Sequence, residues 1–143
     1  MILIVAHIGL PIFAPLKSIM IQPRTIVKVA DNTGAKVARV FKVLGGSRKR
    51  YAGLGDIVVV SIQTAEPRKS VKKKEVHYAL VVRQKNAYRR KDGSYIRFDD
   101  NAVIILVKGK TWEPKGTRVF GPIPREIGEK GFQSVISLAP EVL

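Results

Sequence analysis

Residues 79–106 read ALVVRQKNAYRRKDGSYIRFDDNAVIIL, two apolar runs with a cationic stretch and an Asp-Gly pair between them. The stretch opens with Ala79-Leu80-Val81-Val82 and closes with Ala102-Val103-Ile104-Ile105-Leu106. Asp92-Gly93 between β-prone runs is a strong hairpin signal, because both residues tolerate the positive φ of a type I′ turn. The runs are expected as buried strands and the intervening segment as a projecting ribbon. Five cations (Arg83, Lys85, Arg89, Arg90 and Lys91) fall within its first nine residues. A buried base under a charged tip suits a small domain that reaches into something polyanionic.

The composition of the whole chain agrees with that reading. Its 143 residues suffice for one domain with a modest core. Lys and Arg number 26 against 11 Asp and Glu, a net charge of +15. Self-repulsion at that charge destabilises a compact monomer, and a polyanionic partner offsets it. Nucleic acid is the first candidate and an anionic membrane surface the second. An apolar share of 45% argues against a disordered basic tail. Cysteine is absent, which removes disulfides, thiolate catalysis and Cys-based zinc sites together.

Upstream of the stretch the text is β. Residues 24–30, RTIVKVA, are followed by the turn Asp31-Asn32-Thr33-Gly34. Residues 36–44, KVARVFKVL, read as a strand with Val37, Phe41 and Val43 on one face and Arg39 intruding on that side. Gly45-Gly46 ends it, a basic loop containing Tyr51 follows, and residues 57–62, IVVVSI, read as a fully buried strand. Downstream, residues 113–116 (EPKG) suggest a turn and 117–120 a last short strand. Two short helices are expected around 125–130 and 132–138, the second with Phe132, Val135, Ile136 and Leu138 roughly on one face. Strands at this spacing, with edges to protect, suggest a small closed barrel. Residues 1–19 stand apart, apolar and interrupted by Pro11 and Pro15, too short and broken to span a bilayer. They lack the marks of a secretory or mitochondrial leader. They read as an extension upstream of a natural start at Met20, or as an apolar arm docking on a neighbour.

Arg48-Lys49-Arg50, residues 68–74 and residues 83–91 hold half of the cations and no acidic residue. A merely solvated face mixes its signs, so this segregation points to phosphate binding. Arg suits bidentate phosphate contacts, and Tyr51 and Tyr88 inside the basic text could stack on unpaired bases or sit at a barrel rim. Signals for catalysis are poor. Asp99 and Asp100 are adjacent and would face opposite ways in a strand, His7 and His77 are isolated, and no nucleotide-binding or nucleophile motif occurs. No catalytic, cofactor or metal site is expected. A membrane-surface protein would carry its cations on an amphipathic helix, not in β and loop text.

Several blocks in order give the chain a family likeness. They are MIQPRTIVKVADNTGAK (20–36), RYAGLGDIVVVSI (50–62), ALVVR (79–83), DGSYIRFDDNAVI (92–104), GTRVFGPIPREI (116–127) and SLAPEVL (137–143). Together they resemble large-subunit ribosomal protein fourteen in its bacterial or organellar form, over residues 20–143. Departures fall at Lys73-Lys74-Glu75, where the family has a Lys-Gly turn, and at 108–112. The resemblance implies a mainly β fold: a closed five-stranded barrel with a protruding ribbon and a small helical C-terminal region, as one domain. It implies a structural role in the ribosome of a bacterium or an organelle, binding large-subunit rRNA beside ribosomal proteins three and nineteen. It also implies contact with small-subunit rRNA at intersubunit bridges, and a surface for a ribosome-silencing factor. The residues expected at RNA are Arg24, Asn32, Lys36, Arg48, Lys49, Arg50, Tyr51, Lys72, Lys73, Arg83, Lys85, Arg89, Arg90, Lys91, Arg97 and Arg118. For Asn32 a capping role in its own turn competes with reading a base edge. Arg125 and Phe132 are expected at the intersubunit or protein side. The competing reading is a free-standing barrel-fold RNA-binding translation factor, though the scattered aromatics supply no stacking platform.

Overall fold

Five strands close a barrel: β1 (Ile26–Val29), β2 (Ala35–Val43), β3 (Ile57–Ala65), β4 (Val76–Arg83) and β7 (Ala102–Val107). Between the last two lie the ribbon strands β5 (Tyr88–Arg89) and β6 (Tyr95–Ile96). This computed structural model describes residues 20–47 and 49–143, so the expected extension and Arg48 lie outside the described residues. Neighbours in the order β1-β2-β3-β4-β7 run antiparallel, and β7 closes the ring by pairing parallel to β1, Lys28 opposite Ala102 and Val29 opposite Val103. Closure leaves no free edge within the ring, which removes the usual route to edge-to-edge aggregation.

The two apolar runs are continuous because both of their faces are covered. Ala79, Val81, Val103 and Ile105 point into the barrel with Val27, Ala38, Val40, Val58, Val60 and Ile62. Leu80, Val82, Ala102, Ile104 and Leu106 point outward into a second core. That core is roofed by the C-terminal segment: β8 (Glu113–Pro114), β9 (Pro122–Ile123), α1 (Glu126–Glu129), α2 (Gln133–Leu138) and β10 (Glu141–Val142). Ile123, Ile127, Phe132 and Val135 supply its underside. By contrast β3 is fully buried on one face only; Val58, Val60 and Ile62 are inside, while Ile57, Val59 and Ser61 are half-covered.

Four local expectations are corrected. The Asp92-Gly93 turn is not type I′: the Gly93 N–H donates to the Arg90 carbonyl at 3.0 Å and the Arg90 N–H to Ser94 at 2.8 Å. Only Gly93 (φ +93°) is left-handed there, giving a glycine-bulged turn in place of a two-residue one. Asp92 is not among the positive-φ residues and accepts from the Ser94 hydroxyl (2.6 Å) and N–H (2.9 Å), which holds its carboxyl below the usual range. In β2 the register shifts between Val40 and Lys42, so Val40 and Val43 are inward and Arg39, Phe41 and Lys42 outward. The alternation that put Phe41 beside Val43 fails at that bulge. Residues 117–120 contribute a single bridge, Val119 opposite Asp31, and the expected turn at Glu113-Pro114 instead pairs with β7 outside the ring.

Asp31 is the buried polar pin of this arrangement. Its Oδ1 accepts from the Thr33 hydroxyl (2.6 Å) and N–H (3.2 Å), and its Oδ2 from the Ile105 N–H at 2.8 Å. Burial pushes its carboxyl above the ordinary aspartate value, against hydrogen bonds from Thr33 and Ile105 that lower it. Because the folded value exceeds the unfolded one, stability from this group is present at low pH and lost as pH rises through the folded value. Asp31→Asn turns an amide NH2 toward either Thr33 or Ile105 and should cost about 1–3 kcal/mol in urea unfolding. The advantage of the wild type over Asp31→Asn should shrink as pH rises from the unfolded aspartate range; a constant gap would show that burial does not control Asp31.

Lys74 occupies the left-handed region (φ +71°) in the turn that Glu75 N–H closes onto the Lys72 carbonyl at 3.3 Å. A Cβ in this conformation costs about 1–2 kcal/mol, partly offset by the greater freedom of glycine in the unfolded chain. Lys74→Gly should therefore raise the unfolding midpoint, and a lowered midpoint would show that the loop tolerates Lys74 without strain.

Candidate nucleic-acid interface

The ribbon is where the opening stretch leaves the barrel. β5 and β6 pair Tyr88 with Ile96 and Arg89 with Tyr95, as a two-stranded sheet of their own. Arg89, Lys91 and Arg97 are exposed and make no ion pair among the described residues. Arg90 turns back instead. Its Nε lies 2.7 Å from Glu126 Oε1, too oblique for a hydrogen bond, and its Nη2 donates to the Leu143 carbonyl at 2.6 Å. It moors the ribbon to α1 and the C-terminal residues. Tyr88 is half-buried.

Arg83, expected at phosphate, is a fixture of the interior. Its side chain is 11% exposed, and Nε and Nη2 fork onto the two oxygens of Asp100 at 3.0 and 3.4 Å. Nη1 donates to the carbonyls of Phe120 (2.8 Å) and Pro122 (3.3 Å). The chain passes so close that a Cβ on Gly121 (φ +83°) would stand 2.5 Å from Nη1. The adjoining cleft, about 360 Å³, is lined by Asp99 and Asp100 as well as Arg83 and Arg97, so it is no simple anion site.

The remaining expected residues divide in the same way. Arg24, Arg50, Tyr51, Lys72, Lys73 and Arg118 are exposed. Lys36 pairs with Glu66 at 2.7 Å and Lys49 with Asp56 at 3.0 Å, though both remain partly accessible. Lys85 is half-buried, its N–H donating to Asn101 Oδ1 at 2.9 Å. Asn32 does not cap its own turn but reaches the segment before β9. Its Oδ1 accepts from the N–H groups of Thr117 (2.9 Å) and Arg118 (3.2 Å), and its Nδ2 donates to the Thr117 hydroxyl (2.8 Å). Phe132, expected at a protein contact, is 8% exposed and belongs to the second core, because the start of α2 faces β4 and β7. Arg125 is exposed, 4.0 Å from Asp92.

Lys28, Lys36, Lys49, Arg83, Arg90 and Arg125 are the described Lys and Arg residues in ion pairs with side-chain carboxylates. The other exposed cations include two that were not among the residues expected at RNA, Arg39 and Lys42. The signal was present: neither can enter a barrel interior packed with Val40 and Val43. Among the described residues no three His, Asp or Glu side chains are grouped to hold a metal ion, and no helix is long and apolar enough to cross a membrane.

The Arg83 fork sets a prediction. Arg83→Ala strands Asp100 and two carbonyls beside a cavity, and should cost about 3–5 kcal/mol in chemical denaturation. A loss below about 1 kcal/mol would place Arg83 with ordinary surface pairs.

Comparison with protein families matches residues 20–143 to a model described as ribosomal protein L14p/L23e. The matched span takes in the whole described barrel, ribbon and C-terminal segment. Members of such a family are typically structural and not enzymatic. The chain therefore belongs to the ribosomal protein L14p/L23e family, a structural constituent of the large ribosomal subunit that serves translation.

Proposed function

We propose that this protein binds large-subunit rRNA through its ribbon and basic loops, with the barrel as a rigid platform. The observation that carries the reading is the division of charge. Most described carboxylates lie in ion pairs or hydrogen bonds within the fold, whereas Arg24, Arg50, Lys72, Lys73, Arg89, Lys91, Arg97 and Arg118 are exposed without ion pairs. Exposed cations without internal partners are free to displace counterions from phosphate. Each phosphate neutralised adds about 0.7–0.9 to the magnitude of the log–log salt slope. Arg83, Arg90, Asn32 and Phe132 drop out of the binding set, because their polar groups or rings are occupied inside the chain.

The family likeness extends the proposal to residues 20–143 as one folding unit and to contacts with ribosomal proteins three and nineteen. It also extends to small-subunit rRNA at intersubunit bridges and to a ribosome-silencing factor, in a bacterial or organellar ribosome. Exposed Arg118 and Arg125 support a contact on the C-terminal side.

Arg89→Glu combined with Lys91→Glu tests the ribbon, since neither residue has an ion-pair partner whose removal would unfold the protein. Binding to large-subunit rRNA fragments should weaken, and the salt slope should flatten by about 0.7–0.9 for each phosphate no longer neutralised. Unchanged affinity and slope would show that the ribbon tip does not meet phosphate.

A further inference from the structure

The barrel has one roofed side and one bare side. The C-terminal segment covers the outer faces of β4 and β7 and reaches β3 at Ile57, whereas Ile26 on β1 and Arg39, Phe41 and Lys42 on β2 are exposed. On that side the register draws a row across four strands: Ile26 opposite Arg39, Arg39 opposite Ser61, and Ser61 opposite Val76. The two ends of the row, Ile26 and Val76, are 56% and 58% exposed. Beside Arg39 the β2 bulge turns two consecutive side chains outward, Phe41 at 47% exposure and Lys42 next to it. A bulge interrupts the hydrogen-bond ladder and re-aims side chains; this one sets an aromatic ring and an ammonium side by side in solvent.

Charge identifies what the face would accept. The strands β1, β2 and β3 contain no Asp or Glu. Arg24, Arg39 and Lys42 make no ion pair among the described residues. Lys is depleted at protein-docking patches, whereas here Lys42 stands exposed and without an ion pair beside Phe41. Apolar area next to unpaired cations suits a ligand with flat apolar faces on an anionic backbone. We propose that this bare face binds unpaired nucleotides of RNA, Phe41 offering its ring to a base while Arg39, Lys42 and Arg24 take the flanking phosphates. The proposal deepens the rRNA-binding reading and rests on it. Stacking on an aromatic tolerates any base, because every base has a π face.

Stacking and phosphate contact leave different marks. With single-stranded oligoadenylate as the probe, Phe41→Ala should lower affinity about ten-fold while leaving the salt slope unchanged. Phe41→Trp should restore it, and binding to a fully paired, blunt-ended RNA duplex should not respond to either change. Equal loss on both RNAs, or no loss on oligoadenylate, would overturn the proposal. In assembled large subunits, a photo-crosslinking p-benzoylphenylalanine at position 41 should join to rRNA; a crosslink to protein, or none, would overturn it. A wild-type protein that bound neither large-subunit rRNA nor oligoadenylate would instead overturn the broader rRNA-binding reading.

Discussion

Two strands buried on both faces govern this molecule. β4 and β7 send Ala79, Val81, Val103 and Ile105 into the barrel and Leu80, Val82, Ile104 and Leu106 out of it, and neither set can be left in water. The inward set is satisfied by ring closure. The outward set needs a separate roof, which is why the chain folds back after the barrel in short strands and helices too small to stand alone. Arg83 and Asp31 tie distant parts of this arrangement together through polar contacts. One forks onto Asp100 while binding the carbonyls before and after Gly121, and the other accepts the N–H of Ile105.

What could be read in advance followed from local pattern. The apolar runs of β4 and β7 announce buried strands and Asp-Gly announces a tight reversal, and both survive in the fold, whereas the similar run in β3 is covered fully on one face only. Placements that the local pattern did not show depended on partners far along the chain. Nothing near Arg83 says that its acceptors lie 17 and 37 residues away, so it looked like one more cation in a basic run. Asn32 likewise reaches across 85 residues to Thr117. Phe41 was misplaced for a different reason. A single bulge inverts the two-residue alternation, and a bulge in mid-strand has no marker in side-chain type. The strands β9 and β10, two residues each, are shorter than any periodicity can resolve.

Charge in this protein performs two distinct tasks. Carboxylates such as Asp56, Glu66, Asp100 and Glu126 bind particular Lys and Arg side chains, tying loops and ribbon to the body. The remaining cations accumulate on surfaces where no acid balances them. Their repulsion is a standing cost to the isolated chain, and membership of the large subunit places the protein in a particle whose bulk is polyanion. The same residue type thus serves as internal fastening or external contact according to whether a carboxylate lies within reach.

Ring closure also orders events in time. β1 through β4 can assemble one after another, each strand pairing with the one just made. The step that joins β1 to β7 brings together groups such as Asp31 and Ile105, 74 residues apart. Loop-closure entropy must be met before such distant contacts are rewarded. A chain synthesised from its N-terminus therefore carries an open four-stranded sheet, with two unpaired edges, until β7 has emerged. Even then the outward face of β4 and β7 stays bare until Ile123, Ile127 and Val135 follow. The segment that covers the outward face of β4 and β7 arrives after everything it protects, so nascent molecules halted short of it expose a greasy patch, and those halted before β7 unpaired edges as well, both suited to capture by chaperones or to aggregation.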